Sequence, residues 1–219
     1  MTAPFTAGLI IVGAGGHGRE LAWLAAICGA AGTSPAPVAF VDDNAQPNAR
    51  VLHGLEVLDW HAADARFPGA SLVLGIGDSS VRTAVAQRLT AEGRDFAKLV
   101  HPAAEIAPSA TLGQGCVVCA GSVISVDVTL GDHVHVNRAC QVGHDTVLGD
   151  FVTLLPGVVV GGNVRIGIGA MLGAGAVVRN GSAARALIVG ERAMVGMGAV
   201  VVRDVPAATT VMGVPANDR

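Results

Sequence analysis

From residue 106 onward, aliphatic side chains fall at every sixth position: Ile106, Leu112, Val118, Ile124, Leu130, Val136, Val142, Leu148, Leu154, Val160, Ile166, Leu172 and Val178. Glycine follows many of them, as LG at 112, 130 and 148, VG at 142 and 160, and IG at 166. An amphipathic helix repeats near 3.6 residues and a half-buried strand near two, so neither accounts for a period of six. A triangular prism does: each flat face takes six residues, one aliphatic side chain points inward per face, and small residues turn the corners. Eighteen residues then close one coil, and coils stack at the ~4.8 Å spacing of paired strands. The expected fold of residues 104–219 is a left-handed parallel β-helix. The phase ends at Val178 and resumes one residue out of step at Val189, Val195 and Val201, which predicts an irregular or shortened corner within 179–188. The tail VPAATTVMGVPANDR lies beyond the repeat and is expected to cap the last coil.

Ahead of residue 104 the pattern is of another kind. The apolar run GLIIV ends in Gly13, Gly15, Gly16 and Gly18, and RELAWLAAIC follows with helical composition. PVAFVDD supplies a second strand closing on Asp42 and Asp43, and LVLGIGDSS a third ending at Gly77 and Asp78, before the helical VRTAVAQRLTAEG. Strands alternating with helices predict a small Rossmann-like α/β domain with a parallel sheet over residues 1–103. The loop GAGGHG permits tight turning, and the helix start behind it favours a phosphate. Asp42 or Asp43 is placed to accept hydrogen bonds from a ribose or base. Taken alone, a single glycine loop serves equally well as a structural turn.

Composition narrows the picture. The 219 residues include 30 Gly, no Tyr and only 3% aromatic residues, so the core must be filled repetitively with small side chains. The net charge of −3 comes without a basic cluster, which disfavours nucleic acid and anionic membrane partners. The opening MTAPFTAGLIIVGAGG lacks a basic n-region and a small-residue cleavage site, and no apolar run is long enough for a span. A cytoplasmic protein with reduced thiols is expected. Cys116 and Cys119 have a metal-like spacing, yet no second pair follows, so they read with Cys28 and Cys140 as small buried residues.

Within the repeat, His144 of QVGHDTVLG follows Val142 by two positions and should sit near an outward corner. Imidazole accepts a proton near neutral pH, as attack on a thioester requires. Asp145 is adjacent and can orient the ring, although neighbours on a strand often face apart. Eighteen residues on stands Gly162, one coil above, where a glycine leaves room for a thioester and a backbone N–H can polarise its carbonyl. Asn137 either positions a nucleophile or holds a corner. His133 and His135 raise the thought of zinc, but they share a face from which His144 is displaced, so three ligands do not converge within one chain.

His144, the six-residue coils and GAGGHG together make the chain resemble the sugar O-acyltransferase family, which includes sialic acid O-acetyltransferases and bacterial nucleotide-amino-sugar N-acetyltransferases of the hexapeptide-repeat superfamily. The resemblance implies an α/β domain for a UDP- or GDP-linked sugar and a β-helix that forms a homotrimer with acetyl-CoA between adjacent prisms. By the motif NRACQVGHD it implies His144 as catalytic base, Asp145 as its orienting acid and Asn137 as support. GGN at 161–163 matches the acetyl-CoA-contacting segment through Gly161 and Gly162. IGAMLGAGAVV adds Gly173 and Ala174, and VMGVPA adds Gly213 and Pro215. The sugar-nucleotide pattern falls on Gly15, His17, Gly18, Asp42, Asp43, Gly77 and Asp78. Some members carry a histidine where Thr153 stands, which bears on how the acceptor is held.

The implied reaction is direct transfer from acetyl-CoA to the amino group of a nucleotide-linked sugar, with no metal and no covalent enzyme intermediate. An amine must be neutral to attack, so the rate is expected to rise from acidic toward mildly alkaline pH. The competing readings are O-acetyl transfer to a sialic acid or other sugar hydroxyl, a zinc-dependent β-helix enzyme of carbonic-anhydrase type, and a non-catalytic nucleotide-sugar-binding protein. A nucleotidyltransferase is disfavoured because the N-terminal part is small and lacks a lysine-containing glycine loop.

Overall fold

The computed structural model describes residues 8–43 and 50–218. The opening residues 1–7, on which part of the leader reading rests, lie outside it. Contacts divide the chain into two compact units, residues 1–102 and 103–219.

The first unit is an α/β layer. Strand β1 (Leu9–Val12) leads to α1 (Gly16–Ala30), β2 (Pro37–Val41), the hairpin of β3 (Arg50–Leu52) and β4 (Leu55–Leu58), then α2 (Trp60–Arg66), β5 (Ser71–Leu74) and α3 (Ser79–Ala91). The sheet order is β3-β4-β2-β1-β5, with β1 paired in parallel to both β2 and β5. All four residues of β1 are buried, as expected of a central parallel strand covered on both faces. The expected all-parallel sheet needs one correction, because β3 runs antiparallel to β4 at the edge. Its cause is the two-residue turn His53-Gly54, both at positive φ (51° and 82°), the geometry that closes a tight hairpin. The hairpin and α2 were not foreseen from the sequence.

The second unit is the left-handed parallel β-helix. Face one carries Glu105–Ile106, Val123–Ile124, Gln141–Val142, Val159–Val160, Val177–Val178 and Val200–Val201. Face two carries Thr111–Leu112, Thr129–Leu130, Val147–Leu148, Val164–Ile166 and Leu187–Val189, and face three includes Val117–Val118, His135–Val136, Thr153–Leu154, Met171–Leu172 and Met194–Val195. Pairing steps by eighteen residues, as in Ile124↔Val142, Leu130↔Leu148 and Val136↔Leu154. From Val118 to Val178 every sixth-position aliphatic is at most 2% exposed. A second inward row lies two residues earlier: Cys116, Ser122, Val128, Val134, Cys140, Thr146, Val152, Val158, Val164, Ala170 and Ala176 are all fully buried. Two rows, one of branched aliphatics and one of Val, Ala, Cys, Ser and Thr, fill this part of the prism without aromatic residues.

That second row explains the cysteines. Cys116 donates to the Gly131 carbonyl at 3.0 Å, and burial pushes the Cys140 thiol up to about 11. Its two polar members are bonded within the stack: Ser122 Oγ donates to the Asn137 carbonyl at 2.8 Å, and Thr146 Oγ1 lies 3.1 Å from the Gly161 carbonyl.

The phase slip is real, but the corner is lengthened rather than shortened. Leu148 pairs with Ile166, eighteen residues on, whereas Ile166 pairs with Val189, so that coil holds 189 − 166 = 23 residues, five more than its predecessor. An addition of five to a period of six looks, in the sequence, like the loss of one. The tail also does more than cap, since Thr210–Met212 continues face three by pairing in parallel with Met194–Val195. It then folds back antiparallel through Asn217–Asp218.

Candidate active site

Three loops of the α/β unit meet at the carboxyl ends of β2, β1 and β5. Since β2 and β5 flank β1 on opposite sides, the chain reverses direction across the sheet there, and open α/β sheets bind ligands at such a point. The Asp42 carboxylate accepts from the Ala14 N–H at 3.2 Å, tying the β2 end to the glycine turn. Gly18 packs its bare Cα against the Gly13 carbonyl, and a Cβ on Gly75 would lie 2.5 Å from the Gly18 Cα. These two glycines therefore serve close packing. Gly15 and Gly77 differ: a Cβ on either would meet nothing within 4 Å.

Other predicted residues here have structural partners. Asp78 caps α3, accepting from the Ser80 and Val81 N–H groups at 2.8 and 2.9 Å. Asp43 accepts from Trp60 Nε1 at 2.8 Å and pairs with Arg88 at 3.3 Å. His17 Nδ1 lies 3.9 Å from the Glu20 carboxylate on the first turn of α1. Arg82, missed in the sequence, is fully buried and its guanidinium donates to the carbonyls of Ile76 and Gly77 at 2.9 and 3.2 Å. Burial holds that guanidinium down to about 10. An arginine six residues beyond a strand-end glycine loop gives no pattern by which to find it.

In the β-helix, His144 and Asp145 occupy the turn between faces one and two. Asp145 adopts φ 56°, and this left-handed corner, unlike a strand, swings both side chains to the same side. His144 Nδ1 lies 2.7 Å from Asp145 Oδ2, with both side chains about half exposed. Carboxylate oxygens only accept, so in the neutral ring Nδ1 carries the proton and Nε2 the lone pair. The turn is braced on both sides: the Asp145 N–H donates to the Val126 carbonyl at 3.2 Å, Arg165 donates to the Asp145 carbonyl at 2.8 Å, and the Asn163 N–H donates to the His144 carbonyl at 2.8 Å. Arg165 and Thr146 thus support the corner, although the sequence reading passed over both.

Gly162 stands over the ring. A Cβ there would lie 2.6 Å from His144 Nε2, 2.7 Å from Cε1 and 2.8 Å from Cδ2. The space anticipated for a thioester is therefore filled by the imidazole itself, and glycine is required so that the ring can lie there. Gly161 and Gly173 follow a different rule: a Cβ on each would lie 2.5 Å from the backbone nitrogen of the next coil, Asn180 or Met197.

Not every predicted residue joins His144. Asn137, Gly173 and Ala174 lie at the corner between faces three and one, a different edge of the same prism. The Asn137 side chain is buried and donates to the Leu154 carbonyl at 2.9 Å, as a rung between coils. Thr153 is buried on face three, paired with His135. His133 sits in a corner rather than on the face of His135, its ring stacked on Phe151 at 5.1 Å. Among the described residues no group of three or more His, Cys, Asp or Glu is arranged to hold a metal. No helix among them is long and apolar enough to cross a membrane. Gly213, at φ 94°, and Pro215 form the turn of the closing hairpin.

Residues 8–89 match the model of the PglD N-terminal domain, and residues 145–180 match the bacterial transferase hexapeptide model. GDP-perosamine N-acetyltransferase of Escherichia coli O157:H7 is 32% identical over 95% of this chain and 94% of its own. The crystal structure of PerB from Caulobacter crescentus, in complex with CoA and GDP-perosamine, superposes with a TM-score of 0.85 at 32% identity, covering all of both chains. The acetyltransferase domain of PglB from Neisseria gonorrhoeae FA1090, in complex with acetyl coenzyme A, gives 0.86 at 33% identity over 98% of this chain and all of that one.

Proposed function

This chain belongs to the hexapeptide-repeat sugar acetyltransferases that include GDP-perosamine N-acetyltransferase, and from that membership we propose that it transfers the acetyl group of acetyl-CoA to the amino group of a nucleotide-linked amino sugar. A GDP-linked 4-amino sugar is the first acceptor to offer it. The observation that carries the mechanism is the His144–Asp145 pair at 2.7 Å beneath a glycine whose Cβ would strike the imidazole where it lies.

His144 acts as general base. Asp145 fixes the tautomer, so Nε2 takes the proton that the sugar amine loses as its nitrogen attacks the thioester carbonyl. The Gly162 N–H stabilises the oxyanion that forms, and collapse expels CoA as thiolate. No group on the chain need be acylated: Cys140 is buried in the prism and its raised pKa keeps it a thiol. Acetyl-CoA supplies the acyl group; Gly161, Gly162, Gly173, Ala174, Gly213 and Pro215 line its path. Those residues lie on more than one edge of the prism, so one donor reaches both the Gly162 and the Gly173 edges only in a groove between adjacent copies. That supports a homotrimer, with Asn137 of one copy facing His144 of the next.

The α/β unit takes the nucleotide in the crevice formed by Gly15, His17, Gly18, Asp42, Asp43, Gly77 and Asp78. Of these, Gly15 and Gly77 face open space that a ligand fills. Asp78 and Asp43 contribute by holding their loops, through the α3 cap and through Trp60 and Arg88. The test is thiol release from acetyl-CoA against UDP- and GDP-linked 4-amino sugars and free sialic acids, with product mass recorded. A nucleotide amino sugar that gains one acetyl group is the expected product. Thiol release only with hydroxyl acceptors would replace this reading with O-transfer.

A further inference from the structure

Arg82 is the largest fully buried side chain among the described residues, and no step of the transfer uses it. It belongs to α3, whose other buried residues are Ala86 and Leu89. A guanidinium in that position costs far more to desolvate than an apolar side chain of similar bulk, so packing alone does not account for it. Its Nη1 donates to two successive carbonyls, Ile76 at 2.9 Å and Gly77 at 3.2 Å, in the loop that leaves β5. Across a planar trans peptide the C=O and the N–H point in opposite directions. Drawing both carbonyls toward the buried guanidinium therefore turns the following N–H groups, those of Gly77 and Asp78, outward. Neither N–H has a hydrogen-bond partner among the described residues, and both residues are exposed.

The loop is held at three points. Gly75 packs against the Gly18 Cα, Arg82 holds the Ile76 and Gly77 carbonyls, and the Asp78 carboxylate is committed to the Ser80 and Val81 N–H groups. Of the three, only Arg82 sets which way the two peptides face. Its charge acts in the same sense. Burial holds the guanidinium down to about 10, so it is still a cation at neutral pH, behind two N–H groups that suit an anionic oxygen.

We propose that Arg82 is a positioning residue for the sugar nucleotide, holding the Gly77 and Asp78 N–H groups toward the open side of the loop as a preformed pair of donors. The inference rests on the nucleotide reading of this crevice given above. Preformed donors spare the ligand the cost of ordering the loop, so their loss weakens binding of the nucleotide and leaves the chemistry at His144 alone. A lysine in the same place keeps the charge but not the planar fork.

The experiment compares the parent with Arg82→Met, Arg82→Lys and Leu89→Ala, the last truncating an equally buried side chain on the same helix. Calorimetric titration with GDP and with UDP is read beside kcat, the KM values for nucleotide sugar and acetyl-CoA, and the thermal midpoint. Expected for Arg82→Met are a nucleotide Kd and a nucleotide-sugar KM raised about tenfold or more, with kcat and the acetyl-CoA KM within about threefold. Arg82→Lys should recover part of that loss. Leu89→Ala should lower the midpoint and leave the nucleotide constants as they were. A nucleotide Kd in Arg82→Met within about threefold of the parent, or an equal rise in Leu89→Ala, would overturn the proposal. Amide hydrogen exchange on the parent decides the matter even where Arg82→Met does not fold: the bound nucleotide should slow exchange at Gly77 and Asp78, and unchanged exchange at both sinks the assignment. A parent whose nucleotide binding depends on Arg82 but which transfers no acetyl group would refute the enzymatic reading and leave Arg82 its role. Acetyl transfer with a nucleotide-sugar KM indifferent to Arg82 would do the opposite, and a parent that binds neither nucleotide would overturn both.

Discussion

Glycine means different things in the two units. In the β-helix, glycines that follow the inward aliphatic residues are imposed by stacking: a Cβ at Gly143, Gly161 or Gly173 would lie 2.5–2.6 Å from the backbone of the next coil, whatever the protein does. In the α/β unit, Gly15 and Gly77 have nothing within 4 Å, so neither packing nor the next turn requires them. Gly162 belongs to the first region by address and to the second by character, because what a Cβ there would strike is the ring of His144 rather than backbone. A glycine is thus informative about function only where the regular architecture does not already demand it.

The sharpest way to break this division is to remove the ring. His144→Ala should lower kcat by about 10²–10⁴ while the Kd for the nucleotide sugar, measured by calorimetry, stays as it was. Near-normal turnover would remove the β-helix corner as the seat of chemistry. Next in size, Gly162→Ala should displace the imidazole and cost about 10² in kcat with the thermal midpoint nearly unchanged. Gly161→Ala should do the reverse, lowering the midpoint because backbone cannot give way. If both variants lose stability alike, Gly162 is only another stacking glycine.

On the other side of the comparison, Gly15→Ala and Gly77→Ala should raise the KM for the nucleotide sugar roughly tenfold, leave that for acetyl-CoA alone and leave stability intact. An unchanged KM would mean that the open space is not a ligand's. An effect on stability alone, with none on turnover, concerns the prism's interior. Burial raises the Cys140 thiol from an ordinary value of 9.0 to about 11, so the folded state keeps a proton that the unfolded chain loses first. That contribution is fully present below pH 9 and is lost as pH rises through 11, by ~2–3 kcal/mol at most. Denaturant midpoints of the parent should fall across this window more steeply than those of Cys140→Ala.

The sequence made the β-helix legible because a solenoid writes its geometry once per turn, and thirteen aliphatic positions in phase admit no other fold. It made His144 and Asp145 legible for a related reason: the repeat says which residues are corners, and polar groups at a corner are free to act. What stayed hidden was what depends on contacts between distant positions. The sign of the slip after Val178 was ambiguous because five residues added and one removed have the same phase. Asn137 could be read either as holding a nucleophile or as holding a corner, and only the bond from its side chain to the Leu154 carbonyl in the next coil shows the second use. Asp78 was read as a ligand group when its first duty is to the α3 N-terminus. Arg82 was invisible because nothing in a helical stretch announces that its guanidinium turns inward to the carbonyls of Ile76 and Gly77.

The eighteen-residue coil has a consequence for how such a protein measures length. Any two features on one edge are separated by a whole number of strand spacings, so the prism is a ruler graduated in ~4.8 Å divisions. Lengthening or shortening a donor's arm by two or three bonds shifts its far end by less than one division, and the ruler has no half marks to meet it. Whole coils gained or lost in descent would therefore change donor preference in jumps, while the bulge at 179–188 is the one graduation that can drift without disturbing the rest.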